Sequence, residues 1–150
     1  MATKATITEF LSQKKLAIVG ISRTGKKFSN AVYKELKLKG YRLFPVNPQA
    51  ENILGESCYP NLRSLPEKVE GVVIITKPAI SAGIIREVHE AGIKHVWLQQ
   101  GTESKEAIDF CNSKQMNVIH GECILMFAEP IGSFHKFHRW IWKLIGKLPK

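Results

Sequence analysis

The sequence predicts a doubly wound α/β domain, in which a five-stranded parallel sheet carries helices on both faces. Three observations favour this fold class: short apolar runs alternate with amphipathic stretches, the runs show no polar alternation, and the first run ends in a glycine-containing loop. Continuous apolar runs of this length are typical of parallel strands that are covered on both sides. Strands that alternate with helices indicate right-handed βαβ units, so we expect a Rossmann-like sheet.

The predicted strands are short segments rich in valine, isoleucine and leucine. They are Leu16–Val19, Arg42–Val46, Val72–Ile75, His95–Leu98 and Asn117–Ile119. Three amphipathic helices are predicted between them, over Phe28–Lys39, Ile80–Ala91 and Glu103–Lys114. We expect the first two to end at Gly40 and Gly92, because glycine adopts the left-handed conformation that closes a helix. Thr102 is expected to cap the third helix, and Tyr59–Pro66 has room only for a short one.

Residues 131–150 are predicted to form a basic, aromatic C-terminal amphipathic helix. One face carries the apolar side chains Phe134, Phe137, Ile141, Leu144, Ile145 and Leu148, and the other carries Lys136, Arg139, Lys143 and Lys147. The favoured interpretation is a helix that packs on the domain or on a second copy of the chain, which would give a homodimer. The alternatives are an anionic membrane surface or an acidic partner, since basic amphipathic helices with tryptophans fit both.

The size and composition of the chain predict one domain over residues 1–150. A chain of 150 residues, 44% of them hydrophobic, can bury a core without disulfides or a metal. Its three cysteines, Cys58, Cys111 and Cys123, have no metal-ligand spacing, so free thiols and no metal site are expected. The polar segment 1–15 lacks the apolar stretch of a signal peptide, which favours a cytoplasmic location. The net charge of +9 suits polyanionic ligands, but nucleic acid is disfavoured because no recognition module is evident.

The loop Gly20–Lys27, after the first strand, is the strongest candidate for ligand binding. It places two glycines and three cations between a predicted strand and a predicted helix, which suits phosphate contacts from the backbone and the helix N-terminus. Lys27 stands where a P-loop has its Mg²⁺-binding hydroxyl, so an NTPase is disfavoured. Ser22 replaces a glycine of the dinucleotide fingerprint, and Asn47 stands where NAD-binding proteins usually have an acid, so NAD binding is disfavoured too.

Three further loops follow predicted strands and carry hydrogen-bonding groups: Val46–Pro48, Thr76–Pro78 and Gln99–Gly101. In a doubly wound sheet, ligands bind outside the carboxyl ends of the strands, where the strand order reverses. We therefore expect these loops to meet the first loop at one edge of the sheet. Each of them is also compatible with an ordinary turn.

Together the loops resemble the small stand-alone coenzyme A-binding domain family. The resemblance rests on Gly20-Ile-Ser-Arg23, Gly40-Tyr-Arg-Leu-Phe-Pro-Val-Asn-Pro48, Ile53-Leu-Gly-Glu-Ser-Cys-Tyr-Pro60, Thr76-Lys-Pro78 and Val96-Trp-Leu-Gln99. It covers about Leu16 to Phe127, and the family is similar in fold to the N-terminal domain of the succinyl-CoA synthetase alpha subunit. It implies a Rossmann-like fold and coenzyme A, or an acyl-CoA, as the small-molecule ligand.

The resemblance also implies a set of site residues. The CoA phosphates would lie on the first loop, at Gly20, Ile21, Ser22, Arg23, Gly25 and Lys26. The adenosine side would be bordered by Val46, Asn47 and Pro48, and the rest of the crevice by Thr76, Lys77, Pro78, Leu98 and Gln99. Arg23, Lys26, Lys27 and Lys77 would neutralise the phosphates without a metal. Ala50 departs from the synthetase domain, which has a lysine there, so the adenosine-side contacts are the least specified.

The resulting functional hypothesis is a CoA-binding module without catalytic residues. Two alternatives stay open. The first is an enzyme that acts on a CoA thioester, with Cys123 paired to His120, or on a nicotinamide nucleotide. The second is an interaction or membrane-associated subunit that works through its basic C-terminal helix. The acyl group, the oligomeric state and the physiological role are not specified by the sequence.

Overall fold

A parallel five-stranded sheet forms the centre of the fold. The computed structural model describes residues 2–128, so the predicted helix over 131–150 lies outside the described residues. The sheet strands are β1 (Lys15–Val19), β2 (Arg42–Val46), β5 (Gly71–Ile74), β6 (His95–Gln99) and β7 (Asn117–Glu122), in the order β2-β1-β5-β6-β7. A separate antiparallel hairpin is formed by β3 (Asn52–Ile53) and β4 (Glu56–Ser57). The predicted sheet is therefore confirmed.

Four helices cover the two faces of this sheet. They are α1 (Lys4–Ser12), α2 (Phe28–Leu38), α3 (Pro78–Glu90) and α4 (Lys105–Ser113), and short 3-10 turns span Leu62–Ser64 and Ile124–Met126. One hydrophobic cluster joins α1 and α2 to one face of the sheet, and a second joins α3 and α4 to the other. The alternation of inward side chains along each strand explains why neighbouring residues such as Ile18 and Val19 belong to different clusters. No helix within residues 2–128 combines the length and apolarity that a membrane crossing requires.

The third predicted helix begins later than expected. Ser104, and not Thr102, is the cap of α4, because its hydroxyl accepts a hydrogen bond from the backbone N–H of Ala107 at 3.2 Å. Thr102 is buried, and its hydroxyl accepts a hydrogen bond from the backbone N–H of Thr76 at 3.3 Å. The prediction that Thr102 caps this helix was therefore wrong. Thr102 instead connects the loop after β6 to the loop after β5.

Helix α1 was not predicted, because the first fifteen residues form a mostly polar segment. Its start is fixed by Thr3, whose hydroxyl accepts from the backbone N–H of Thr6 at 3.2 Å. Only Ile7 and Phe10 of this helix are buried, and the Phe10 ring packs edge-on against Trp97 at 5.4 Å between ring centres. Ile7 and Phe10, with the partly buried Leu11, dock this helix of nine residues on the sheet.

The strand order reverses between β1 and β5. The chain runs from β1 outward to β2 and then returns across β1 to pair β5 with its other edge. The loops that leave β1 and β5 consequently diverge to opposite faces, and this opens a crevice at the carboxyl ends of these strands.

Candidate functional site

The loops after β1, β2 and β5, together with Gly101 of the loop after β6, border a crevice with two adjoining cavities. The larger, of about 790 Å³, is here named the cationic cavity and is lined by Gly20, Ser22, Arg23, Lys27, Thr76 and Lys77, among others. The smaller, of about 390 Å³, is named the apolar cavity and is lined by Val46, Pro48, Pro60, Leu62, Ile80 and Ile84, among others. Gly20, Asn47 and Thr76 line both, so the two cavities form one continuous crevice.

The first turn of α2 holds the backbone of the first loop in place. The Ser29 hydroxyl accepts from the backbone N–H of Ser22 at 3.1 Å, and the Asn30 amide donates to the Ser22 carbonyl at 2.8 Å. The side-chain oxygen of Asn30, Oδ1, also accepts from the backbone N–H of Lys27 at 3.1 Å. Both side chains are buried, at 5% and 1% exposure. The loop is therefore tied to the first turn of α2 at Ser22 and at Lys27.

Asn47 connects the loop after β2 to the loop after β1. Its side-chain amide donates to the Ile21 carbonyl at 2.7 Å, and its side-chain oxygen accepts from the backbone N–H of Gln49 at 2.8 Å. Its backbone N–H donates to the Tyr59 carbonyl at 2.9 Å. Asn47 lines both cavities and fixes the loop after β2 to the loop after β1, a role that needs a side chain with both a donor and an acceptor.

The charges around the cationic cavity are of one sign. Arg23, Lys27 and Lys77 line it, and among the described residues none of those lining it is acidic. Lys27 and Lys77 are also the residues that precede the first turns of α2 and α3. An ammonium group cannot accept the free N–H groups of a helix start, and its charge opposes the positive end of the helix dipole. Both positions become favourable when an anion lies between the lysines and the helix ends, as at phosphate-binding helix N-termini.

The apolar cavity is formed mainly by the crossover after the hairpin and by α3. Ile80 and Ile84 lie four residues apart on α3 and so present one face of the helix. Pro60 and Leu62 also line the cavity, and within residues 2–128 Glu87 is its only charged lining residue. The arrangement suits an uncharged, flat part of a ligand whose charged part lies in the cationic cavity.

The structure brings together most of the residues that the sequence singled out. Eight line the cationic cavity: Gly20, Ile21, Ser22, Arg23, Asn47, Thr76, Lys77 and Pro78. Val46 and Pro48 line the apolar cavity. Gly25 and Lys26 belong to the same loop but line neither cavity, and the same holds for Leu98 and Gln99. Leu98 is fully buried, and the buried Gln99 side chain accepts from the backbone N–H of Ile124 at 3.1 Å.

Sequence reasoning missed the contributions of α3 and of the crossover to the crevice. Ile80, Ile84 and Pro60 line the apolar cavity, although their sequence context indicates only an ordinary helix and turn. The spacing of Ile80 and Ile84 was the signal that could have found them. Apolar residues at i and i+4 share one face of a helix, and this helix begins at the strand-end Lys77-Pro78 beside the crevice. Phe28, half-exposed at the start of α2, also lines the cationic cavity and was not singled out.

The residues at the end of β7 lie apart from both cavities. Cys123 is buried and lines neither, and burial lowers the pKa of His120. Glu122 is 6% exposed, and burial raises the pKa of its carboxyl to about 7. Within residues 2–128, His, Cys, Asp and Glu side chains form no group of three that is placed to hold a metal ion.

Comparison with known proteins identifies several related chains. The uncharacterized protein YneT of Bacillus subtilis is 30% identical over 123 residues, which cover 81% of this chain and 91% of YneT. A hypothetical protein of Pyrococcus horikoshii has a solved structure that matches with a TM-score of 0.75 at 32% identity, covering 82% of this chain and 87% of that one. The alpha subunit of ADP-forming acetate–CoA ligase II of Pyrococcus furiosus is 25% identical over 126 residues, which cover 77% of this chain but only 28% of that subunit. The family described as CoA binding domain matches residues 14–129, and the chain belongs to this family.

Proposed function

We propose that this protein binds coenzyme A or an acyl-CoA in the crevice and performs no chemistry of its own. The observation that carries the proposal is the pairing of a cationic cavity with an apolar one across the shared residues Gly20, Asn47 and Thr76. Coenzyme A joins several phosphate charges to a flat adenine base and a long uncharged arm. The charged phosphates match the lining of the cationic cavity, and the uncharged parts match the lining of the apolar cavity.

The phosphates are assigned to the cationic cavity. Arg23, Lys27 and Lys77 supply positive charge there, and the loop Gly20–Lys27 supplies backbone N–H groups at the start of α2. Arginine also offers a planar fork that binds phosphate oxygens in pairs. No Mg²⁺ is required in this assignment, since the positive charges come from the protein itself.

The adenosine side is assigned to the apolar cavity, beside Val46, Asn47 and Pro48. Glu87 is the only charged residue that lines this cavity within residues 2–128, so the assignment rests on shape and apolar contact. The ADP-forming ligase relatives are named for a reaction that uses CoA, and only this shared ligand is carried over to the present chain. The proposal further takes residues 1–150 as one domain in the cytoplasm, with α1 packed on the same core as the sheet.

Calorimetric titration with coenzyme A, run beside NAD and ATP, tests the proposal. We expect saturable binding of CoA in the micromolar range and much weaker heats with NAD and ATP, because the latter two lack the pantetheine arm. Incubation with acetyl-CoA should release no free thiol over the spontaneous rate, as measured with a thiol-reactive dye on the protein-free filtrate. Preference for NAD or ATP, or no heat with CoA, would overturn the proposal, and turnover of acetyl-CoA would favour the enzyme alternative.

A further inference from the structure

The β3–β4 hairpin contains a residue that is unusual for its position. Its two-residue turn consists of Leu54 and Gly55, which have φ angles of +53° and +78°. Turns in which both residues have positive φ strongly prefer Asn-Gly, and a leucine in this region costs about 1–2 kcal/mol. Leucine is therefore a poor choice for the turn itself, and its side chain needs another explanation.

The Leu54 side chain contacts the first loop. A Cβ atom built at Gly25 would lie 3.2 Å from a terminal methyl carbon of Leu54, so the leucine covers this glycine closely. Gly25 itself has a φ of +69° and donates its backbone N–H to the Ser22 carbonyl at 3.4 Å. The turn of the hairpin thus rests on the bend of the loop that is assigned to the phosphates.

The hairpin is anchored on the side that faces α2. The Glu56 carboxylate accepts a hydrogen bond from the Tyr33 hydroxyl and forms an ion pair with Lys37, and both partners belong to α2. Ile53 is buried at 3% exposure, and the backbone N–H of Cys58 donates to the Glu51 carbonyl at 2.8 Å. Because both its strands are held, the turn cannot move away from Gly25 without breaking these contacts.

We propose that the β3–β4 hairpin acts as a clamp on the loop Gly20–Lys27, with Leu54 as the positioning residue. Ser29, Asn30 and Asn47 form hydrogen bonds with the backbone at the start of the loop, at Ile21 and Ser22. Leu54 packs on the outer bend of the loop, at Gly25. A loop that is already ordered loses less entropy when a ligand binds. The part of the inference that concerns affinity rests on the proposed function, whereas the part that concerns loop order does not.

The variant Leu54→Asn separates clamping from stability. Asparagine gives the favoured Asn-Gly turn, so the melting temperature is expected to stay equal or to rise, while the contact with Gly25 is lost. We expect CoA to bind about threefold to tenfold more weakly. We also expect the Gly25 backbone N–H to exchange faster with deuterium, as followed by NMR without any ligand. Leu54→Met restores an apolar contact and should recover both properties.

Gln115→Asn is the matched control. Gln115 is the other non-glycine residue with a positive φ within residues 2–128, at +54°, and it lies before β7 at the opposite edge of the sheet. This variant should leave CoA affinity and Gly25 exchange unchanged. The clamp would be overturned if Leu54→Asn kept the wild-type CoA affinity and the wild-type exchange rate of the Gly25 N–H. It would also be overturned if the melting temperature fell both in Leu54→Asn and in Leu54→Met. Faster Gly25 exchange in Leu54→Asn, together with no CoA binding by the wild-type protein, would instead support the clamp and reject the proposed function.

Discussion

Gly20 lies so close to Ile75 that no other residue fits its place. A Cβ atom built on Gly20 would be 2.1 Å from the Ile75 carbonyl oxygen, and the φ angle of Gly20 is +99°. The loops after β1 and β5 therefore touch through their backbones at the point where the strand order reverses. Gly20 lines both cavities, and Ile75 lines the cationic one.

Gly20→Ala should be strongly destabilising. The clash with Ile75 and the positive φ act together, and we expect a loss of about 3 kcal/mol in the free energy of unfolding. Urea denaturation measures this loss. Gly83→Ala is the control, because Gly83 lies on α3 without a positive φ, and an added Cβ would meet no described atom within 4 Å. It should gain about 0.5–1 kcal/mol from the higher helix propensity of alanine. Equal effects of the two substitutions would contradict the close approach at Gly20.

Lys77→Ala should weaken CoA binding more than Lys26→Ala. Lys77 lines the cationic cavity, whereas Lys26 lies on the same loop as Arg23 without lining either cavity. Both side chains are exposed, so screening by salt limits the loss for Lys77 to about threefold to tenfold in Kd. Titration at two salt concentrations measures the affinity and its salt dependence. A larger effect of Lys26 would place the phosphates on the outer part of the loop.

The sequence predicted the sheet and the edge that carries the crevice for one physical reason. Strands buried on both faces must be apolar throughout, and parallel strands place their carboxyl ends, such as Val19 and Ile74, at a single edge. It did not predict that Gln99 turns inward to bind Ile124, because a polar side chain at a strand end suits a ligand or a backbone N–H equally well. It also missed Ile80, whose spacing from Ile84 indicates a shared helix face, because the packing of α3 on the sheet decides that this face lines the apolar cavity.

Asn47→Ala should affect both stability and binding. The substitution removes the bonds to the Ile21 carbonyl and the Gln49 N–H, and two partly exposed hydrogen bonds contribute about 1–2 kcal/mol. CoA affinity should fall as well, because the loop after β2, which lines both cavities at Asn47, loses its link to the first loop. Asn112→Ala, at an exposed position of α4 that lines neither cavity, makes the same side-chain change as a control and should leave affinity intact. Unfolding in urea and calorimetry on each variant measure the two effects separately.

Glu122→Gln should raise stability above neutral pH and leave it nearly unchanged in acid. Burial raises the pKa of the Glu122 carboxyl to about 7, and one of its buried oxygens has no hydrogen-bond partner within residues 2–128. The native state therefore holds this proton up to a higher pH than the unfolded chain, whose glutamate has a pKa of about 4.3.

Stability from the Glu122 carboxyl is present below the unfolded pKa and is lost as the pH rises through the folded pKa. Above pH 7 the ionised carboxyl should cost on the order of 3–4 kcal/mol, which glutamine avoids. Comparing urea unfolding of the two proteins between pH 5 and 8 cancels the titration of other groups such as His120. A stability difference that does not grow with pH across this range would show that Glu122 ionises at its ordinary pKa.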